Sequence, residues 1–110
     1  MTLKEFSPWF DVEQLDPVVL ATASFVYQIK DASQLFIYTT GRSAMLFYGE
    51  TDTATAIDDV VQSIRMRYPR ARLRFRYRPE TDTAQSLADL LDRFERRFGS
   101  LPHGNQAMKD

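Results

Sequence analysis

The chain has 110 residues, 44 % hydrophobic and 26 % charged, with a formal net charge of −1; that composition fits one soluble domain and disfavours indiscriminate polyanion binding. It has no cysteine, which excludes disulfides, thiolate nucleophiles and cysteine-based zinc sites. No apolar run is long enough to span a bilayer and the start lacks a signal peptide's pattern, so a cytoplasmic protein without a membrane partner is expected.

Residues 1–23 read as a helical lead-in. Ser7-Pro8 and Asp16-Pro17 each resemble an N-cap followed by proline at the first helical position. Trp9, Phe10, Val12 and Leu15 offer apolar cover for a sheet. Ser24 to Asp31 is β-branched and aromatic and reads as a strand closed by the turn Asp31-Ala-Ser33. Gln34 to Thr40 and Ser43 to Gly49 read as two more strands, joined by a type II′ turn at Gly41-Arg42. That register sets Phe36 against Phe47 and Tyr38 against Met45. Both faces of the hairpin are then apolar, which expects either a central place in the sheet or burial against a second copy.

Glu50-Thr-Asp-Thr53 reads as the cap of a helix over 53–67, with Ile57, Val60, Val61, Ile64 and Tyr68 on one stripe. Pro69 ends it. From Arg70 to Arg78 the chain alternates strictly: Arg70, Arg72, Arg74, Arg76 and Arg78 against Ala71, Leu73, Phe75 and Tyr77. A period of two puts the apolar set on one face of a strand and the guanidiniums on the other. Glu80-Thr-Asp-Thr83 repeats the cap before a helix over 83–98, striped by Leu87, Leu90, Leu91, Phe94 and Phe98, with Gly99 at its C-terminal end. Residues 100–110 read as a short flexible tail. The expected fold is α+β: a small mixed or antiparallel sheet, made of a three-strand meander plus the arginine strand, with two main helices and a short N-terminal one.

Charge is segregated along this order. Residues 1–64 sum to −6, residues 65–78 to +7 and residues 79–110 to −2. Arg70, Arg72, Arg74, Arg76 and Arg78, with Tyr77 for stacking, are therefore the candidate binding residues for a nucleic acid or an acidic protein. The competing structural explanation is an edge strand guarded by charge, its arginines paired with neighbouring carboxylates. Asp58 and Asp59 point about 100° apart on a helix and share no ion easily. Asp89, Asp92 and Glu95 stand beside Arg93, Arg96 and Arg97, as in a solvated helix surface with ion pairs. With one histidine and no cysteine, no catalytic triad, metal site or cofactor is expected. The leading expectation is thus a non-catalytic interaction domain.

Phe36-Ile37-Tyr38, Phe47-Tyr48-Gly49 and Pro102-His-Gly-Asn105 together resemble the motifs of the GIY-YIG nuclease superfamily. A competing register of the same resemblance sets Phe25-Val26-Tyr27 at the first motif. The resemblance implies a magnesium-dependent nuclease using Tyr38, Tyr48 and an acid at Asp89 or Asp92. The spacer between the strand motifs is short, and no arginine stands between Thr53 and Arg65, where the family carries its catalytic one. A third expectation is homodimerisation through the two-sided hairpin.

Overall fold

The computed structural model describes residues 6–14, 24–51 and 54–107. A four-stranded antiparallel sheet forms from β1 (Phe10–Asp11), β2 (Phe25–Asp31), β5 (Met45–Thr51) and β6 (Leu73–Pro79), in the order β1-β6-β2-β5. Two short strands, β3 (Phe36–Tyr38) and β4 (Gly41–Ser43), make a separate hairpin. Three α-helices follow the hairpin region: α1 (Ala54–Arg67), α2 (Thr83–Phe98) and α3 (His103–Ala107). The α+β class is as the sequence predicts. Among the described residues no helix is long and apolar enough to cross a membrane.

The meander is not formed. β2 pairs with β5, Tyr27 opposite Gly49 and Ile29 opposite Phe47, and β3 leaves the sheet. Asp31 is the cause. Its carboxylate accepts from the backbone N–H and hydroxyl of Ser33 and from the Gln34 amide, which turns the chain away before β3 can run back along β2. The small hairpin then turns at Thr39-Thr40, one dipeptide earlier than expected, and pairs Phe36 with Ser43 and Tyr38 with Gly41. Its loop docks on a helix end: Thr40 donates from its backbone N–H to the Phe98 carbonyl and from its hydroxyl to the Arg97 carbonyl. Those are two of the carbonyls that the end of α2 leaves without intrahelical partners. Gly99 follows at φ +79°, and a Cβ there would stand 2.7 Å from the Thr39 Cβ.

The sheet separates two apolar clusters. Phe25, Tyr27 and Ile29 of β2, Phe47 of β5 and Leu73 and Phe75 of β6 pack with Ile57, Val61 and Ile64 of α1. On the other side Tyr38 and Tyr48 close around Phe94 of α2, with Met45, Leu87, Leu91 and Phe98 at the margin. A bulge opposite Ile29 and Lys30 leaves Leu46 as the extra residue of β5 and turns it into the first cluster. Both helical stripes face inward as predicted. Asp82 caps α2 by accepting from the Gln85 backbone N–H.

Two other expectations are corrected at the ends of the chain. Ser7 is no N-cap: it exchanges hydrogen bonds with Tyr77 and extends the pairing of β1 on β6. The Asp16-Pro17 cap, Leu15 and the Thr53 cap position lie outside the described residues. The tail expected after Ser100 is ordered through Ala107 as α3, with Pro102 and Gly104 buried. Asn105 explains the docking. Its Oδ1 accepts from the Tyr48 N–H and its Nδ2 donates to the Tyr48 carbonyl, at 2.9 and 2.8 Å. A side-chain amide thus stands in for a neighbouring strand on the outer edge of β5, which would otherwise template pairing with another chain. Gly104 permits the approach, since a Cβ would lie 2.6 Å from the Leu46 carbonyl oxygen. Asn105→Ala is expected to cost about 1–3 kcal/mol and to make the protein self-associate. Thermal unfolding and light scattering over a concentration series check both, and an unchanged midpoint would refute the edge-cap account.

Candidate functional site

β6 lies between β1 and β2, so the arginine strand is an interior strand and edge protection does not explain its charges. It also begins later than the alternation suggests. Arg70 sits in the turn that Ala71 closes by donating to the Tyr68 carbonyl, and Arg72 precedes the strand; both side chains are exposed. Arg74, Arg76 and Arg78 stand opposite Lys30, Gln28 and Val26 of β2 in the paired register. Tyr77 is on the other face, its ring against Phe10, Phe25 and Phe75. The stacking role envisaged for it beside the guanidiniums therefore has no geometry here.

Each guanidinium of the row has a different environment. The Arg74 Nε is 3.3 Å from Asp11 Oδ1 of β1, and the Arg78 Nε is 2.8 Å from Glu80 Oε1. In neither ion pair is the Nε aligned for a hydrogen bond, although both atoms are buried. Arg76 has an amide rather than a carboxylate: its Nε donates to Gln28 Oε1 at 2.6 Å. The N-terminal segment covers it with two rings, Phe6 at 4.5 Å and Trp9 at 4.6 Å from the guanidinium carbon. Lys30 Nζ lies 4.3 Å from the Trp9 centroid. Cations over aromatic faces gain roughly 0.5–2 kcal/mol, more as water is excluded.

The electrostatics of this patch are unbalanced. Burial lowers the Lys30 pKa, and the neighbouring positive charges of Arg74 and Arg76 lower it further. Burial likewise lowers that of Arg76, with Arg78 adding repulsion against a compensating influence of Tyr48. No carboxylate lies within ion-pair distance of Lys30 or Arg76 among the described residues. Rings, an amide and two imperfect ion pairs hold four cations together on one sheet face.

The residues of the nuclease resemblance are placed differently. Tyr38 is buried, its hydroxyl donating to the Met45 carbonyl at 2.6 Å and accepting from the His103 N–H at 3.0 Å. Its ring and that of Tyr48 both pack edge-on against Phe94. Burial pushes both phenols up to about 12. Asp89 accepts from Gln85 and Asp92 pairs with Arg96, on the exposed side of α2. The tyrosines serve one cluster and the acids face solvent. Among the described residues no three His, Asp or Glu side chains are grouped to hold a metal ion. Asp58 and Asp59 are exposed on α1. The β3 motif is not beside the β5 motif; Phe25-Val26-Tyr27 is.

Comparison with protein-family models, with curated proteins and with solved structures finds no match.

Sequence reasoning missed Lys30, Gln28 and Phe6, and read Trp9 only as apolar cover for a sheet. A signal for the first two was present: Val26, Gln28 and Lys30 alternate with Phe25, Tyr27 and Ile29 as the arginines do with theirs. That the Phe6 and Trp9 rings lie over cations left none, because it depends on how residues 6–9 cross the sheet.

Proposed function

We propose that this protein is a non-catalytic interaction domain whose cationic sheet face docks an anionic partner, a nucleic acid or an acidic protein. The observation that carries the reading is the pair Lys30 and Arg76: adjacent, half-buried, mutually repelling, and without a carboxylate among the described residues. Like charges removed from water are stabilised by any anion that reaches them. Half-exposed Arg74 extends the face along β6 at the roughly 7 Å repeat of alternate strand residues, and exposed Arg72 lies just before the strand.

Fluorescence anisotropy with labelled single- and double-stranded DNA and RNA, and with an oligoglutamate peptide, tests it across a salt series. Contact with three or four phosphates predicts that log K falls against log salt with a slope of roughly −2 to −4. Lys30→Glu with Arg72→Glu is expected to weaken binding at least about tenfold while leaving the unfolding midpoint nearly unchanged. No binding of any polyanion at low salt would end this reading.

Self-association is a second reading, favoured by one observation. Leu35 and Ile37 are 61 % and 72 % exposed at the β3 hairpin. A monomeric mass by sedimentation at tens of micromolar would count against it.

A further inference from the structure

At one end of the cationic face, where β2 turns into the β3 hairpin, a cleft of about 370 Å³ is lined by Lys30, Asp31, Ser33, Gln34, Leu35 and Arg74. We propose that this cleft binds a phosphate monoester attached to a small organic group, of the size of a mononucleotide. It uses two cations of the docking face, but it is a discrete site that can exist whether or not that face docks a macromolecule.

Three features of the lining point to this ligand. First, Lys30 and Arg74 supply cationic donors on one side of the cleft, and a phosphate monoester offers three strong acceptor oxygens to them where a carboxylate offers two. The Arg74 contact to Asp11 is a long one, at 3.3 Å and without an aligned Nε hydrogen bond. Second, the carboxylate in the wall is already committed. Asp31 accepts from the Ser33 N–H, the Ser33 hydroxyl, the Gln34 amide and the Arg72 N–H, so both of its oxygens are engaged within the turn. Gln34 spends one amide hydrogen there and keeps a second for a ligand oxygen. Third, Leu35, which is 61 % exposed, gives the cleft an apolar side. A bare inorganic ion has no use for such a wall. The volume, far larger than one phosphate group, lies near the lower end of the roughly 300–1,000 Å³ of small-molecule sites.

Calorimetric titration of the full chain at low salt, with inorganic phosphate, a nucleoside 5′-monophosphate, the free nucleoside and succinate, tests the assignment. The expected order is monophosphate tightest, inorganic phosphate weaker, and nucleoside and succinate weakest. Lys30→Met keeps the apolar stem beside Trp9 and removes the charge; it should weaken the monophosphate about tenfold or more. Leu35→Ser should erase the advantage of the monophosphate over inorganic phosphate without weakening the latter. Succinate binding as tightly as phosphate, monophosphate affinity untouched by Lys30→Met, or no phosphate binding at millimolar concentrations would each overturn the proposal. Loss of this site with retained polyanion binding would leave the docking face standing, and the reverse result would separate them the other way.

Discussion

Phe75→Ala is expected to remove about 3–5 kcal/mol of stability, a large part of the roughly 5–15 kcal/mol available to a domain of this size. Phe75 is 0 % exposed at the middle of the interior strand. Its ring stacks on Tyr27 at 5.2 Å and meets Phe10 of β1 at 5.5 Å, so three strands converge on one side chain. The cost depends on whether neighbours can close the space. Tyr27 is poorly placed to do so. Its ring lies over Gly49 so closely that a Cβ there would come within 2.5 Å, and it touches Phe47 on the same side. Moving it into the void would uncover the β5 end of the core. The cavity should therefore persist, and cavities carry a penalty beyond lost transfer free energy. Phe75→Leu, which keeps most of the volume, should cost less than about 1.5 kcal/mol. Urea unfolding of both variants measures this through a lower midpoint at unchanged slope. A loss below about 1 kcal/mol for the alanine variant would mean that this side of β6 is not core.

The alternation that identified Phe75 as core shows why parts of the fold were legible. Period-two and period-three-to-four patterns report which face of one element is apolar, and they place Leu73, Phe75, Ile57, Ile64 and Phe94 correctly. They do not report which strand lies beside which. The hairpin Phe36 to Gly49 had good turn residues and matched apolar partners, yet β5 pairs with β2. Four acceptor contacts at Asp31, one of them from Arg72 across 41 residues, decide that outcome. Sequence spacing carries no trace of such a contact. The same limit governs the candidate site. The arginine row was visible because its members share a strand, but its imbalance arises from Lys30 on the adjacent strand and from rings that cross over it. Asn105 was quoted only as part of a motif, and its role as an edge cap was illegible for a related reason: a polar residue in a short tail looks like solvent-exposed chain until an open strand edge is placed beside it.

Asp31→Asn is expected to cost about 2 kcal/mol at neutral pH, and the pH dependence of that cost is the sharper test. Two influences oppose each other at this residue. Burial, the larger single cause, raises the carboxyl pKa, because Asp31 is 0 % exposed and a charge is poorly solvated there. The hydroxyl and backbone N–H of Ser33, the amide of Gln34 and the backbone N–H of Arg72 all donate to the ionised form and lower it. Together the donors win, and the folded-state pKa lies below its ordinary value. A depressed carboxyl pKa adds stability above the unfolded value, near about 3.9, and that stability is lost as pH falls through the folded value. The difference between the native protein and Asp31→Asn should therefore be constant above about pH 5 and shrink below about pH 4. Unfolding free energies of the two proteins from pH 7 to pH 2.5 measure it directly. A gap that widened on acidification would mean that burial outweighs the donors. The turn would then hold a strained carboxylate, and the account of why β3 leaves the sheet would fail with it.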